Sequence, residues 1–183
     1  MKTYISLSIL LNAQGKTEEA TQLLQNVLGL DPYYLDAYKT LISIYKKAGR
    51  NKDIFLLYKK MVDNNVGYFL AYYTIGNAYC QVNKEKLAIP LFKKAILLRP
   101  ESANAYFSLG KAYSLIGKHK EAIRNFTYAI KIRPEFPQAY HNLAISYYAL
   151  KRYDMAISYC DKAIGLGDKV EPSFLELLKA HLK

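Results

Sequence analysis

Histidine and cysteine are the side chains best suited to nucleophilic attack, proton transfer and metal binding, and this sequence holds His119, His141, His181, Cys80 and Cys160. A catalytic or metal site needs several such groups close together. No histidine has a cysteine or a carboxylate three or four residues further on, which is the spacing of a zinc-binding helix. The sequence also lacks a glycine-rich phosphate loop and a nucleophile elbow. It therefore predicts no catalytic residues, no metal site and no cofactor.

The overall composition is that of an ordinary folded protein, with 51% apolar and 22% charged residues among 183. Its apolar runs are short, so none approaches the roughly 18 to 20 residues that span a bilayer. Lys and Arg number 26 against 15 Asp and Glu, and this formal net charge of +11 is spread along the chain. The opening MKTYISLSILLNAQG could be a secretory signal peptide, but the repeat described next explains it better. Two cysteines 80 positions apart form no disulfide framework, which favours a reducing, cytoplasmic compartment.

An internal repeat runs through the sequence. Three segments align without gaps at an offset of 34 residues, and two more divergent segments precede them. They define five units, 1–34, 35–68, 69–102, 103–136 and 137–170. Tyrosine makes up 18 of the 183 residues, yet it holds the fourth position of every unit, at Tyr4, Tyr38, Tyr72, Tyr106 and Tyr140. Five tyrosines in one phase indicate a true repeat.

Each unit carries the apolar spacing of two helices. In the fourth unit, apolar or small residues recur three, four and seven positions after Tyr106, and one helix later apolar residues recur four, seven and eight positions after Ala122. The turn between the helices mostly holds a residue suited to a left-handed C-cap, at Gly15, Gly49, Asn83 and Gly117, with Lys151 in the fifth unit. Small residues recur on the first helix, for example Gly76 and Gly110. Large residues recur opposite them on the second helix, for example Phe92 and Phe126. We expect antiparallel helix pairs that stack to share one core.

This pattern resembles the tetratricopeptide repeat. The fourth unit matches it throughout, at Tyr106, Leu109, Gly110, Tyr113, Ala122, Phe126, Ala129 and Pro134. The second unit departs most, with Ile42, Ile54, Met61 and Val66 in place of small residues and proline. The resemblance implies an all-α, right-handed superhelical α-solenoid of five units over 1–170. Residues 171–183, which begin with Glu171 and Pro172, are predicted to form a C-terminal capping helix.

The resemblance also implies a binding surface. In this family the first helices line a concave groove that holds a partner segment. Transferred to this chain, the groove positions include Lys2, Lys46 and Lys47 against the single acid Asp36, so we expect a basic groove. Aromatic and polar groups lie in its C-terminal half. The predicted peptide-binding residues are Lys39, Tyr73, Asn77, Phe107, Lys111, His141 and Asn142.

The favoured function is a non-catalytic scaffold or adaptor that binds a partner peptide or protein with acidic and aromatic or aliphatic residues. The family's clamp for a chaperone's terminal carboxylate is not expected, because Ser43 and Thr74 follow Lys39 where asparagine is required. Two alternatives remain. Nucleic-acid binding is suggested by the net charge of +11 but opposed by interspersed acids, and self-assembly into a homo-oligomer is suggested by the apolar first helix.

Overall fold

The computed structural model describes residues 1–180, which form eleven α-helices and no β-strand. The predicted all-α fold class is confirmed. Residues 181–183, with His181 and the last part of the predicted capping segment, lie outside the described residues. The helices are α1 (Lys2–Ala13), α2 (Thr17–Leu30), α3 (Leu35–Lys47), α4 (Asn51–Asp63), α5 (Phe69–Gln81), α6 (Glu85–Leu98), α7 (Ala103–Leu115), α8 (His119–Ile132), α9 (Pro137–Ala149), α10 (Tyr153–Gly165) and α11 (Pro172–Lys179).

The helices belong to two compact units, Met1–Ile75 and Gly76–Lys183. In the first, α1 packs against α2 and α3, and α3 also packs against α4. In the second, α7 packs against α6 and α8, and α9 packs against α8 and α10. None of the helices formed by residues 1–180 is both long and apolar enough to cross a membrane.

The turns between paired helices adopt the left-handed conformation that the sequence predicts. The φ angle is 82° at Gly15, 69° at Gly49 and 76° at Gly117. Asn83 and Lys151 hold the same place with φ of 56° and 58°. An L-residue with a side chain pays a steric cost in this region, which asparagine tolerates better than lysine does. The lysine at 151 is therefore the least favourable of the five turn residues.

Small residues allow the helices of the second compact unit to approach closely. A Cβ atom added to Gly76 would lie 2.8 Å from the Phe92 ring, and one added to Gly110 would lie 2.6 Å from the Phe126 ring. Both phenylalanines are fully buried. In the next pair Ala144 packs in a cluster with Cys160, so a larger residue on the first helix faces a smaller one on the second. The predicted pairing of small and large residues is confirmed at these positions.

Tyr38 links the turns of the first compact unit to its core. Its ring is fully buried. The hydroxyl donates to the Pro32 carbonyl at 3.1 Å and accepts from Asn64 Nδ2 at 3.2 Å. Burial raises the pKa of the phenol. In the second repeat unit the fourth-position tyrosine therefore packs in the core and also ties adjacent turns together, whereas Tyr4 of the first repeat unit is 47% exposed.

Candidate functional site

Two of the clefts in the first compact unit share Lys39 and Thr40 of α3 as lining residues. One, of about 300 Å³, lies between α1 and α3, with Ile9, Asn12, Ser43, Ile44 and Lys47 as its other lining residues. The second, of about 380 Å³, is lined also by Lys2, Ile5, Ser6, Tyr34 and Asp36. Both clefts involve the first helices, on which the sequence analysis placed the binding surface. Lys39 lies where the two clefts meet.

The lining of these clefts combines cations with aliphatic and polar groups. Lys2, Lys39 and Lys47 are exposed, and Asp36 is the one acid among the lining residues. The aliphatic floor consists of Ile5, Ile9 and Ile44. Among the polar groups, Asn12 Oδ1 accepts from Thr17 Oγ1 at 3.1 Å, and Thr40 Oγ1 donates to the Asp36 carbonyl at 2.8 Å. The clefts are therefore suited to a segment with carboxylates and aliphatic side chains.

The two aromatic residues predicted for the groove, Tyr73 and Phe107, are half-buried. Tyr73 is half-buried and stacks on Phe69, with ring centroids 5.5 Å apart and an interplanar angle of 9°. Phe107 is half-buried against Phe136 and Phe126, at centroid distances of 4.7 and 5.8 Å. Both rings already have aromatic neighbours within the chain. Each ring therefore presents only part of its surface to a partner, and their role in peptide binding stays a prediction.

Lys111 and Asn77 lie in the second compact unit. The exposed Lys111 places its Nζ over the Phe107 ring, 5.9 Å from the ring centroid. Asn77 is half-buried on α5. Lys111 is the only Lys, Arg, Asp or Glu on α7 and α9, so the expected basic groove does not extend along these two helices. The lysines predicted for the groove lie mostly in the first compact unit.

His141 and Asn142 are engaged by the chain itself. His141 Nδ1 lies 2.7 Å from Asp168 Oδ2, and the ring stacks on Phe174 of α11 at a centroid distance of 6.1 Å. Asn142 Nδ2 donates to the Gln138 carbonyl at 2.7 Å. His141 was predicted to line the groove. Its two contacts hold the segment that leads into the last described helix.

Sequence reasoning missed a second cluster of this kind around Phe136. The guanidinium carbon of Arg133 lies 3.5 Å from the Phe136 ring centroid, and Arg133 Nη2 donates to Asn104 Oδ1 at 2.9 Å. Phe136 and Arg133 both lie in the linker between α8 and α9. From this linker the repeat pattern predicts only that the second helix ends. The linker packs an arginine and an aromatic ring against α7.

The two cysteines and the two histidines among residues 1–180 lie on four different helices. Burial raises the pKa of the Cys80 thiol and of the Cys160 thiol, which lowers the thiolate fraction at neutral pH. His119 is the first residue of α8, and His141 lies on α9. Among residues 1–180 no three histidine, cysteine, aspartate or glutamate side chains are grouped so that they could hold a metal ion.

Family comparisons match most of the chain to helical repeats. Profiles described as tetratricopeptide repeat match residues 1–30 and 137–166, and a profile described as TPR repeat matches 76–117 and 115–151. Together these cover about two thirds of the chain. Residues 36–66 match a profile described as PPR repeat, within the unit that departs most from the pattern. No curated protein sequence matches the chain.

Solved structures with a similar fold include two entitled MamA. One is 28% identical with a TM-score of 0.63, and the match covers 87% of this chain and 93% of that chain. A MamA from AMB-1 is also 28% identical with a TM-score of 0.64, covering 90% of this chain and 96% of that chain. YrrB, entitled a TPR protein with an unusual peptide-binding site, is 23% identical with a TM-score of 0.67, covering 90% and 84%. At that identity the YrrB likeness concerns the fold alone.

These matches and the eleven helices lead to the same assignment. The predicted α-solenoid class is confirmed. The chain belongs to the tetratricopeptide-repeat family.

Proposed function

We propose that this protein is a non-catalytic interaction scaffold that binds a partner peptide on its first helices, with the paired clefts around Lys39 as the main contact. The observation that carries this proposal is that Lys39 lines both clefts, together with two further lysines and an aliphatic floor. Tetratricopeptide proteins bind partners on such surfaces, and YrrB is an example of the fold with a peptide-binding site.

The partner chemistry follows from the lining. Carboxylates of the partner would pair with Lys39, Lys47 or Lys2, and leucine or isoleucine side chains would cover Ile5 and Ile9. This moves the centre of the predicted peptide site towards the N-terminal end. Tyr73, Asn77, Phe107, Lys111, His141 and Asn142 become secondary candidates, because several of them already have partners within the chain.

A peptide library displayed on phage and selected on the immobilised protein tests this function. We expect enrichment of segments that combine Asp or Glu with Leu or Ile. Individual selected peptides, labelled with fluorescein, should bind the Lys39→Glu variant at least about tenfold more weakly. Lys59→Glu, which makes the same charge change on the exposed surface of α4, is the matched control and should bind within about twofold. Equal binding by wild type and Lys39→Glu would rule out the site.

Nucleic-acid binding is a second candidate because residues 36–66 match the PPR repeat profile. PPR repeats read RNA one base per helical repeat. A single matched repeat does not supply the several consecutive units that such reading requires, so this candidate ranks below peptide binding. The predicted homo-oligomer also stays a prediction, supported by exposed apolar residues on α1, namely Tyr4, Leu7, Ile9 and Leu10.

A further inference from the structure

The second helices α6 and α8 carry most of the helical positive charge of the second compact unit. Their exposed cations are Lys86, Lys93, Lys94, Lys120, Arg124 and Lys131. The acids on these helices are Glu85 and Glu121, which are half-buried in the first turns, where they complement the helix dipole. The first helices α7 and α9 carry Lys111 as their one lysine or arginine, so the helical positive charge of this unit is concentrated on the second helices.

Helical spacing places these cations on outward faces. Lys120, Arg124 and Lys131 follow one another at intervals of four and seven residues, so they share one face of α8. The opposite face of each helix is buried, with Ala88, Phe92 and Ala95 on α6 and Ala122, Phe126 and Ala129 on α8. Both helices pack against α7. The lysines and the arginine are therefore exposed to solvent, and Lys93 Nζ also lies over the Tyr113 ring of α7, 6.0 Å from its centroid.

The fold itself does not require cations at these positions. One repeat later, on α10, the residues that correspond to Lys120 and Arg124 are Asp154 and Ser158. On α2 of the first compact unit they are Glu18 and Gln22. At these positions the helix surface is acidic or neutral on α2 and α10, whereas α4 carries Lys52, Lys59 and Lys60 at the positions of Lys86, Lys93 and Lys94. Its charge therefore varies from one repeat to another and is not imposed by the fold.

Exposed apolar side chains lie on the same two helices. Leu97 is 80% exposed and Tyr128 is 54% exposed. Leu87, Leu98 and Ile132 are also exposed. Aliphatic side chains make no favourable contact with a phosphodiester backbone. They can, however, enter the boundary between lipid headgroups and acyl chains. Lysines interspersed with leucines on an outward helix face match an anionic lipid surface better than a nucleic acid.

We propose that the outward faces of α6 and α8 form a docking surface for an anionic lipid membrane. The six cations would lie against acidic headgroups, while Leu97 and its exposed neighbours enter the interface. The surface uses other helices than the peptide clefts on α1 and α3. Lipid binding and peptide binding can therefore fail independently of each other.

Co-sedimentation with vesicles tests the surface. The wild-type protein should bind vesicles of phosphatidylcholine with about 30% phosphatidylserine and not vesicles of phosphatidylcholine alone. The variant Lys120→Glu, Arg124→Glu, Lys131→Glu should lower the partition coefficient on the order of 100-fold. The matched control Lys16→Glu, Lys46→Glu, Lys169→Glu makes the same change in net charge on exposed residues outside α4, α6 and α8 and should lower it less than about threefold. Circular dichroism checks that both variants fold.

Two further measurements decide between lipid and other partners. Leu97→Ser keeps every charge and should weaken vesicle binding about tenfold, because it removes an inserting side chain. If both triple variants lose binding equally, net charge and not this surface is responsible, and the proposal is overturned. A second result also overturns it: the protein does not bind the vesicles but does bind a fluorescein-labelled polyuridine RNA, and this RNA binding is abolished in the α8 triple variant and retained in Leu97→Ser. Should the triple variant misfold, Lys86→Gln with Lys93→Gln probes the same surface.

Discussion

At the residue scale, the second compact unit is organised by matched pairs of side chains on the two helices of a pair. Gly76 faces Phe92 and Gly110 faces Phe126, whereas Ala144 lies in a cluster with Cys160. Where the first-helix residue is larger, as alanine is compared with glycine, the second-helix residue is smaller, as cysteine is compared with phenylalanine. Such compensation is expected of interiors packed as densely as organic crystals. It also explains why the sequence tolerates different residues in these two phases without losing the repeat.

The Gly110→Ala substitution tests this pairing. The new Cβ would lie 2.6 Å from the Phe126 ring, so we expect the free energy of unfolding in urea to fall by about 1–3 kcal/mol. Combining Gly110→Ala with Phe126→Cys imitates the pair at 144 and 160, and the double variant should be at least about 1 kcal/mol more stable than the sum of the single effects. Gly29 has no atom within 4 Å of an added Cβ. Gly29→Ala on α2 should therefore be neutral or stabilising.

The turn residue Lys151 gives a second prediction at this scale. Its φ of 58° is the conformation that glycine adopts most easily. We expect Lys151→Gly to raise the free energy of unfolding by about 0.5–1 kcal/mol, as the relief of strain exceeds the added entropy of the unfolded chain. Gly117→Lys, the reverse change in the preceding turn, should lower it by about 1 kcal/mol. A decrease for Lys151→Gly in thermal or urea unfolding would contradict the strain argument.

At the element scale, the repeat phase predicts helices and turns well and the binding surface poorly. The turn conformations at Gly117 and Asn83 follow from local chemistry that is visible in the sequence. The environment of Phe107 does not, because it depends on Phe136, which lies in a linker 29 residues away. A repeat pattern states which helix face a residue occupies, but a neighbouring linker can still fold over that face. His141 is likewise covered by contacts from beyond its own helix pair.

The last described helix, α11, provides a prediction at the element scale. Phe174 meets the rings of His141 and Tyr148 at centroid distances of 6.1 and 5.7 Å, and Leu178 is buried beside it. We expect Phe174→Ala to speed amide hydrogen exchange in α11 and to lower stability by about 1–2 kcal/mol, less than for a fully buried ring. Leu177→Ala, on the exposed side of the same helix, is the control and should change exchange little. Unchanged exchange in Phe174→Ala would mean that other contacts hold α11.

At the scale of the whole molecule, the two compact units differ in the charge of their first helices. In the first unit exposed lysines line clefts on α1 and α3, whereas Lys111 is the one lysine or arginine on α7 and α9 of the second unit. Both units carry exposed cations on second helices, on α4 in the first and on α6 and α8 in the second. The net charge of +11 showed only that cations are in excess. Their assignment to surfaces needed the burial of each helix face, which fixes what remains open to a partner. A single chain can therefore offer two separate binding surfaces on one repeated architecture.

Buried tyrosines distributed over both units predict how the whole molecule responds to alkali. Burial raises the pKa of Tyr38, Tyr58 and Tyr72 in the first unit and of Tyr159 in the second above the ordinary value of 10.0. As the pH rises through 10, the unfolded chain loses phenolic protons that the folded chain still holds. The free energy of unfolding should therefore decrease from pH 9 to pH 11. Below pH 9 these phenols are protonated in both states and contribute no pH dependence.

The Tyr38→Phe variant isolates one of these groups. Phenylalanine has no proton to lose, so the decrease in unfolding free energy between about pH 9 and pH 11 should be smaller in the variant than in the wild type. At neutral pH the variant should be less stable by about 1 kcal/mol, because the hydroxyl no longer bonds the Pro32 carbonyl and Asn64. Urea unfolding at a series of pH values measures both effects. Parallel curves for wild type and variant would show that Tyr38 does not contribute to the alkaline loss of stability.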